Sequence, residues 1–215
     1  MVHYRDVTDK APRQKLLDAA IEYVAQKGIS DVSLRTLAAA LGTSHRMLIH
    51  HFGSKEALWV DIVRTVEARQ RELLADILPD PEAPLADAMR DWWKHISDPA
   101  LWPNERLFFE IYGQALQGRT HTTELLDGIV EDWLEPVTQI NLSLGIPLNM
   151  ARAHARLGVA VTRGLLLDLL ATRDVAGVDG AMDAFIDVYT GWLSSLAARP
   201  AARSRRARPR RAPSR

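Results

Sequence analysis

Cysteine is absent from all 215 residues, which excludes disulfides and thiolate-bound metals. The opening MVHYRDVTDK is polar and charged, without the apolar core of a secretory signal. Together these fit a cytoplasmic protein. No long hydrophobic run occurs. The most apolar stretch, Leu157 to Ala171, is interrupted by Arg163 and Asp168 and is too short to span a bilayer, so it predicts a buried helix and no membrane partner. Enzyme signatures are missing too: no glycine-rich phosphate loop, no Gly-x-Ser-x-Gly, no His-Glu-x-x-His. Acids such as Glu131, Asp132 and Glu135 read as a solvated helix face. The expectation is a protein that is not an enzyme and holds no cofactor.

Net charge is zero, but unevenly spread. From Arg199 to Arg215 there are 8 Arg and no acid; the remainder holds 19 basic against 27 acidic side chains, about −8. Within that acidic body the segment Lys10 to Leu58 is locally basic, and His45, His50 and His51 add to it. A basic module at one end suits a polyanion contact there, although small helical segments are often slightly basic by chance. Apolar residues make up 47% and charged residues 25%, ordinary for a globular chain with a real core.

What is present is helical periodicity nearly throughout, with no convincing strand and no fixed repeat. Leu16, Leu17, Ala20, Ile21 and Val24 form one stripe, and Gly28 suits a C-terminal cap. Ser33 fits as the N-cap of a short helix with Leu34, Leu37, Ala38 and Leu41 inward, ended by Gly42. Thr43 or Ser44 caps a second short helix running to about Phe52, and Ser54 caps a long one to about Leu78. The LPDPEAP segment, Leu78 to Pro84, is a break. Further helices are predicted near 84–97, 103–117, 121–143, 148–172 and 179–197, the third kinked or split at Pro136. The Arg-rich end has no apolar stripe and is expected to be disordered. The boundaries are residues 10–56, residues 57–198 and the tail 199–215.

Two short helices around the tight Leu41-Gly42-Thr43-Ser44 turn, with Ala38, Ala39 and Ala40 where helices cross closely, have the plan of a helix-turn-helix. On the second helix, a 100° step puts Leu48 and Phe52 inward, with Thr43, Arg46 and His50 opposite. Met47 and Ile49 flank that outer face, and His45 and His51 lie nearer the body. The outer face carries no acid to repel phosphate. Arg46 is suited to guanine, and Met47 or Ile49 to thymine methyls, with Arg35 and His45 as further base-reading candidates. Ser33, Thr43, Ser44, His50, His51 and Lys55 are placed to hold the phosphate backbone. The His50-His51 pair lacks further ligands at metal spacing, so no metal site is expected.

The residues Ser33-Leu34-Arg35, Leu37-Ala38, Leu41-Gly42, Leu48, His51-Phe52 and Ser54-Lys55-Glu56-Ala57-Leu58 resemble the DNA-binding domain of TetR-family repressors, as do Ala19-Ala20 and Lys27-Gly28 before them. The resemblance covers about 50 residues. One departure is Ile49, where the family usually has a tyrosine that meets the DNA backbone. The resemblance implies an all-α fold: an N-terminal three-helix module plus a larger C-terminal helical domain for ligand binding and dimerisation. It implies a homodimer on a palindromic double-stranded DNA operator, released by a small effector, which the aromatic pocket candidates named below suggest is apolar. The alternatives are an activator or co-repressor-dependent regulator on the same fold, or a helical ligand-binding protein or enzyme that does not use the motif. The family's pocket lies among the middle helices, which makes Trp93, Phe109, Tyr112 and Trp133 candidate lining residues beside a core reading for each. Its dimers form through the last two helices, so Arg163 and Asp168 are expected as an interface charge pair, the other option being a polar anchor for a ligand.

Overall fold

The computed structural model describes residues 6–28, 32–77 and 84–197. The Arg-rich tail and most of the Leu78–Pro84 break lie outside the described residues. Within them every element is helical: α1 (Asp6–Lys27), α2 (Leu34–Ala40), α3 (His45–Phe52), α4 (Lys55–Ile77), α5 (Leu85–Ile96), α6 (Trp102–Leu116), α7 (Glu131–Ser143), α8 (Leu148–Thr172) and α9 (Val175–Ala197). Short 3-10 turns at Pro99–Leu101 and Thr123–Leu126 join α5 to α6 and α6 to α7.

Hydroxyl caps set the starts of α2, α3 and α4. Ser33 Oγ accepts from the Thr36 N–H at 3.1 Å, and Ser54 Oγ from the Ala57 N–H at 3.0 Å. Ser44, not Thr43, caps α3, its Oγ accepting from the Met47 N–H at 3.2 Å. Between α2 and α3 the chain reverses at Gly42, whose φ of +66° suits a residue without Cβ.

The C-terminal half departs from the expected spans at two places. The predicted helix over 121–143 is split, but at Gly128, not at Pro136. Gly128 has φ +82°, which no helix accommodates. Pro136 lies inside α7, where it removes one backbone donor without ending the helix. The last helix starts at Val175, four residues before the expected 179. Arg173 ends α8 in a left-handed conformation, and Asp174 Oδ1 then accepts the Gly177 N–H at 3.0 Å, nucleating α9 at once.

One apolar core runs through α1, α2, α3, the first half of α4, α6 and the second 3-10 turn, from Ala20, Leu37 and Leu48 to Ile111 and Leu125. Helix α1 is therefore seated on α6 as well as on α4, and α3 on α2 and α4. A smaller core joins α5, α8 and α9 through Trp93, Ile96, Leu169 and Ile186. Arg13 ties the first three-helix unit to α4. Its Nε donates to the His51 carbonyl at 3.2 Å, and its Nη2 meets Asp61 Oδ2 at 2.5 Å. Its guanidinium also covers the Phe52 ring, 4.9 Å from the centroid.

Between α4 and α6 sits a buried carboxyl. Glu105 accepts from Gln70 Nε2 at 2.8 Å. Burial pushes its pKa up to about 7, the Gln70 bond opposing and the nearby Glu67 reinforcing the rise.

Gly128→Ala forces an L-residue into the left-handed region and sets a Cβ 2.7 Å from Asp132 Oδ1. Denaturant unfolding should show a loss of about 1–3 kcal/mol. Glu105 binds its proton more tightly in the fold than in the unfolded chain, where a glutamate titrates near 4.5. The folded state thus holds more protons between about 4.5 and 7, and its stability falls as pH rises through that window. Glu105→Gln abolishes this contribution. Relative to the parent, the variant should gain on the order of 3 kcal/mol in going from pH 5 to pH 8. A difference between the two proteins that does not change with pH would refute the account.

Candidate DNA interface and ligand cavity

Helix α3 is anchored by two side chains. Leu48 is 1% exposed and Phe52 6%, both in the apolar core that α3 shares with α1, α2 and α4. Apart from His51, the helical turn places the rest of α3 away from that seam. Arg46, Met47, Ile49 and His50 are exposed, as are His45 and the cap Ser44. Arg35 and Ser33 are exposed on the preceding helix, Thr43 is half-buried in the turn, and Lys55 is half-buried at the start of α4, 5.9 Å from the Trp59 ring. From Ser33 to Lys55 there is no acid. Two apolar side chains stay in solvent on this cationic surface, Met47 at 41% and Ile49 at 37%. His51 differs from the other nine candidates. It leans toward the body, half-buried, with its ring edge-on to Phe52 at 6.3 Å, and its carbonyl is held by Arg13.

The second feature is a half-open cavity of about 170 Å³ bounded by α4, α5, α7, α8 and α9 with Phe108 of α6. For scale, roughly 150 Å³ of apolar cavity accommodates a benzene ring. Its middle is apolar and aromatic, with Met89, Trp92, Phe108, Val159, Met182 and Phe185 on different walls. Polar groups enter from α4, α7, α8 and α9. Trp133 Nε1 donates to Glu67 Oε2 at 2.6 Å, and Arg163 Nη2 donates to the same oxygen at 3.2 Å and to the Ile129 carbonyl at 2.6 Å. The Arg163 guanidinium lies over Phe108, 5.0 Å from the ring centroid. Burial raises the pKa of Glu67, while Arg163 and the Trp133 bond hold it down. Elsewhere in the wall, Tyr189 Oη donates to Asn141 Oδ1 at 2.9 Å, and Asn141 Nδ2 to the Ala151 carbonyl at 3.0 Å. Burial pushes the Tyr189 phenol up to about 12.

Of the four aromatic candidates only Trp133 lines this cavity. Trp93 turns to the other side of α5, where its Nε1 donates to Asp179 Oδ1 at 2.7 Å. Phe109 and Tyr112 pack against the apolar cores instead. The residues that do line it were legible as helix stripes but not as a cavity. Leu85, Met89, Trp92 and Ile96 share one face of α5, a spacing that also describes ordinary core. Arg163 is a correction as well. It is not set outward with Asp168 as an interface pair, since the buried Glu67 carboxylate draws it inward, while Asp168 stays exposed.

With this geometry in view, residues 16–62 match the model for bacterial regulatory proteins of the tetR family. The HTH-type transcriptional repressor AcnR of Corynebacterium glutamicum is 33% identical over 79 residues, which are 33% of this chain and 42% of that protein. AcnR of Corynebacterium diphtheriae is 32% identical over 83 residues, 39% of this chain and 40% of that protein. The chain thus spans about two fifths of the length of these curated relatives. Over the fold the likeness is broader. A transcriptional regulator from Rhodococcus sp. Rha1 superposes with a TM-score of 0.67 at 19% identity, covering 84% of this chain and 96% of that one. The multidrug binding protein EbrR, solved with proflavin, gives 0.58 at 26% identity, covering 81% and 97%. The N-terminal module thus matches that of the tetR family of bacterial regulatory proteins, and the all-α fold is shared with solved transcriptional regulators.

Proposed function

We propose that this protein is a ligand-responsive transcriptional repressor, not an enzyme, that binds a palindromic operator as a homodimer and is released by a small, mostly apolar effector. The observation that carries the reading is α3 itself. It is fixed by Leu48 and Phe52 and presents Arg46, Met47, Ile49 and His50 on an exposed face free of acid. The names borne by the AcnR relatives and by EbrR, one a repressor and the other a drug-binding protein, support the two halves of the proposal.

Residues 10–56 act as the DNA-binding module, 57–198 as the ligand-binding and dimerisation part, and the Arg-rich 199–215 as an appendage to it. Arg35, Arg46 and Met47 read bases, with His45 close to the turn. Ser33, Thr43, Ser44, His50, His51 and Lys55 hold phosphates. Ile49 offers no hydrogen bond, so its contact is apolar. Helices α8 and α9 supply the dimer interface; their exposed Leu157, Leu167 and Val188, the last 73% exposed, suit a second copy. The two modules then address one face of B-DNA about 34–36 Å apart, and the operator copies the two-fold axis. Its DNA partner places it in the cytoplasm. The cavity takes the effector, with the Trp133 ring as part of its wall.

The test is selection of random duplex DNA on the full chain, with affinities measured across salt. A palindrome should emerge, its binding weakening steeply as salt rises. Arg46→Ala should cost the selected operator roughly 10- to 100-fold in affinity and relax preference at one base pair per half-site. Weak, sequence-blind binding, or an operator affinity and preference unchanged in Arg46→Ala, would discard the repressor reading in favour of a helical ligand-binding protein.

A further inference from the structure

Apart from Gln70, whose amide is turned to Glu105, and Thr162 beside Arg163, the cavity's polar groups fall into two clusters with apolar side chains between them. One holds Glu67, Arg163 and the Trp133 Nε1; the other holds Asn141, Tyr189 and His154. Two helices give the separation independently. Trp133 and Asn141 are eight residues apart on α7, a rise of about 12 Å, and Arg163 and His154 are nine apart on α8, about 13 Å. Between them the walls are Val137 and Ile140 from α7, Val159 from α8 and Met182 and Phe185 from α9.

The first cluster is balanced in charge. Arg163 is permanently cationic and Glu67 lies against it. Arg71, over the Trp133 ring at 5.7 Å, is matched by Asp132 at 3.6 Å. Glu67 Oε2 receives both donors, and Oε1 has no partner among the described residues. Arg163 keeps donors beyond the two bonds that its Nη2 makes. This end therefore both accepts and donates, and a third charge there would be buried without a counter-ion. At the far end Tyr189 Oη donates its hydrogen bond to Asn141 Oδ1 and retains lone pairs that accept. His154 Nδ1 is buried without a hydrogen-bond partner among the described residues, its ring stacked on Trp192 at 4.0 Å.

We infer that the cavity is a bipolar slot whose ligand is a neutral, elongated, ring-bearing molecule with a hydroxyl-type group at each tip, one for Glu67 and Arg163, the other for Tyr189 and His154. Flat rings between the tips lie against Trp92, Phe108 and Phe185. The inference rests on the reading of this cavity as the effector site.

A rigid series of probes tests it on the full-length protein: biphenyl, 4-hydroxybiphenyl, 4,4′-dihydroxybiphenyl, the 4,4′-dicarboxylate and the 4,4′-bis(aminomethyl) cation. Binding is followed by calorimetry and by quenching of tryptophan fluorescence, and release from the selected operator by anisotropy. Each hydroxyl should tighten binding roughly tenfold, with both charged rods weaker than the diol. Tyr189→Phe should remove about tenfold from the diol and no more than about twofold from 4-hydroxybiphenyl, whose single hydroxyl can turn to the Glu67 and Arg163 tip. Equal affinities across the neutral series, or a charged rod that binds best, would overturn the bipolar slot. Failure of every probe to bind a protein that still grips its operator would overturn it too. The expected ranking with no effect on the operator would keep the ligand class and instead remove the effector role from the proposed function.

Discussion

A carboxylate buried in the wall of a cavity constrains how the larger part of this protein is assembled. Glu67 is 7% exposed, and an ionised group so placed costs several kcal/mol unless donors surround it. The donors come from two other helices, Trp133 of α7 and Arg163 of α8. Satisfying one side chain therefore fixes α4 against both. Removing any one partner would leave the others uncompensated, so the three positions behave as a unit. The same α4 carries Asp61, the anchor of Arg13, less than two turns before Glu67. The helix that holds the recognition module in place is thus the helix whose buried charge is answered at the cavity.

Helix α6 gives a second connection between the same regions. Phe108 faces the cavity and belongs to the core that includes Leu37 and Leu48 of the helix-turn-helix. Leu107, Ile111 and Ala115, buried on the same helix, seat α1 and α4. Close-packed interiors do not deform continuously, so displacement of Phe108 or of the Arg163 guanidinium stacked on it is felt by the module's floor. That path alone does not make a ligand an inducer. The ligand shifts the module only by the difference in its affinity for the two arrangements. A slot with polar fixtures on α4, α7, α8 and α9 is suited to create such a difference, because a rod held at both ends resists relative motion of the helices that hold it.

The N-terminal part was legible almost residue by residue. Caps, glycine turn and apolar spacing all act within a few residues, and each was visible as Ser33, Gly42, Ser54 and the Leu48–Phe52 pair. Choosing between Thr43 and Ser44 as the cap was not possible, because adjacent hydroxyls offer the same chemistry and only backbone geometry separates them. Farther along, local signals misplaced one break. Proline in a helical pattern is a strong stop signal, yet Pro136 costs α7 one hydrogen bond while Gly128 reverses the backbone. The start of α9 slipped for a related reason: Asp174 is an effective cap only because Arg173 adopts the left-handed turn before it.

The cavity was the least legible part, and the reason is physical. A helix facing a void and a helix facing a packed core present the same stripe, since both exclude water. Leu85, Met89, Trp92 and Ile96 are indistinguishable on spacing from the Leu16–Val24 stripe that packs solidly. What separates the two is the polar residue that a stripe would otherwise reject. Arg163 interrupts an apolar helix, and Glu67 and Gln70 fall on the buried face of α4, with no sequence signal for what answers them. Assigning Arg163 to an outer surface follows from treating each helix alone, where a charge belongs in water. Its place is decided instead by a carboxylate 96 residues away, and a buried charge of one sign is reason to look for its opposite on any helix that the fold can bring beside it.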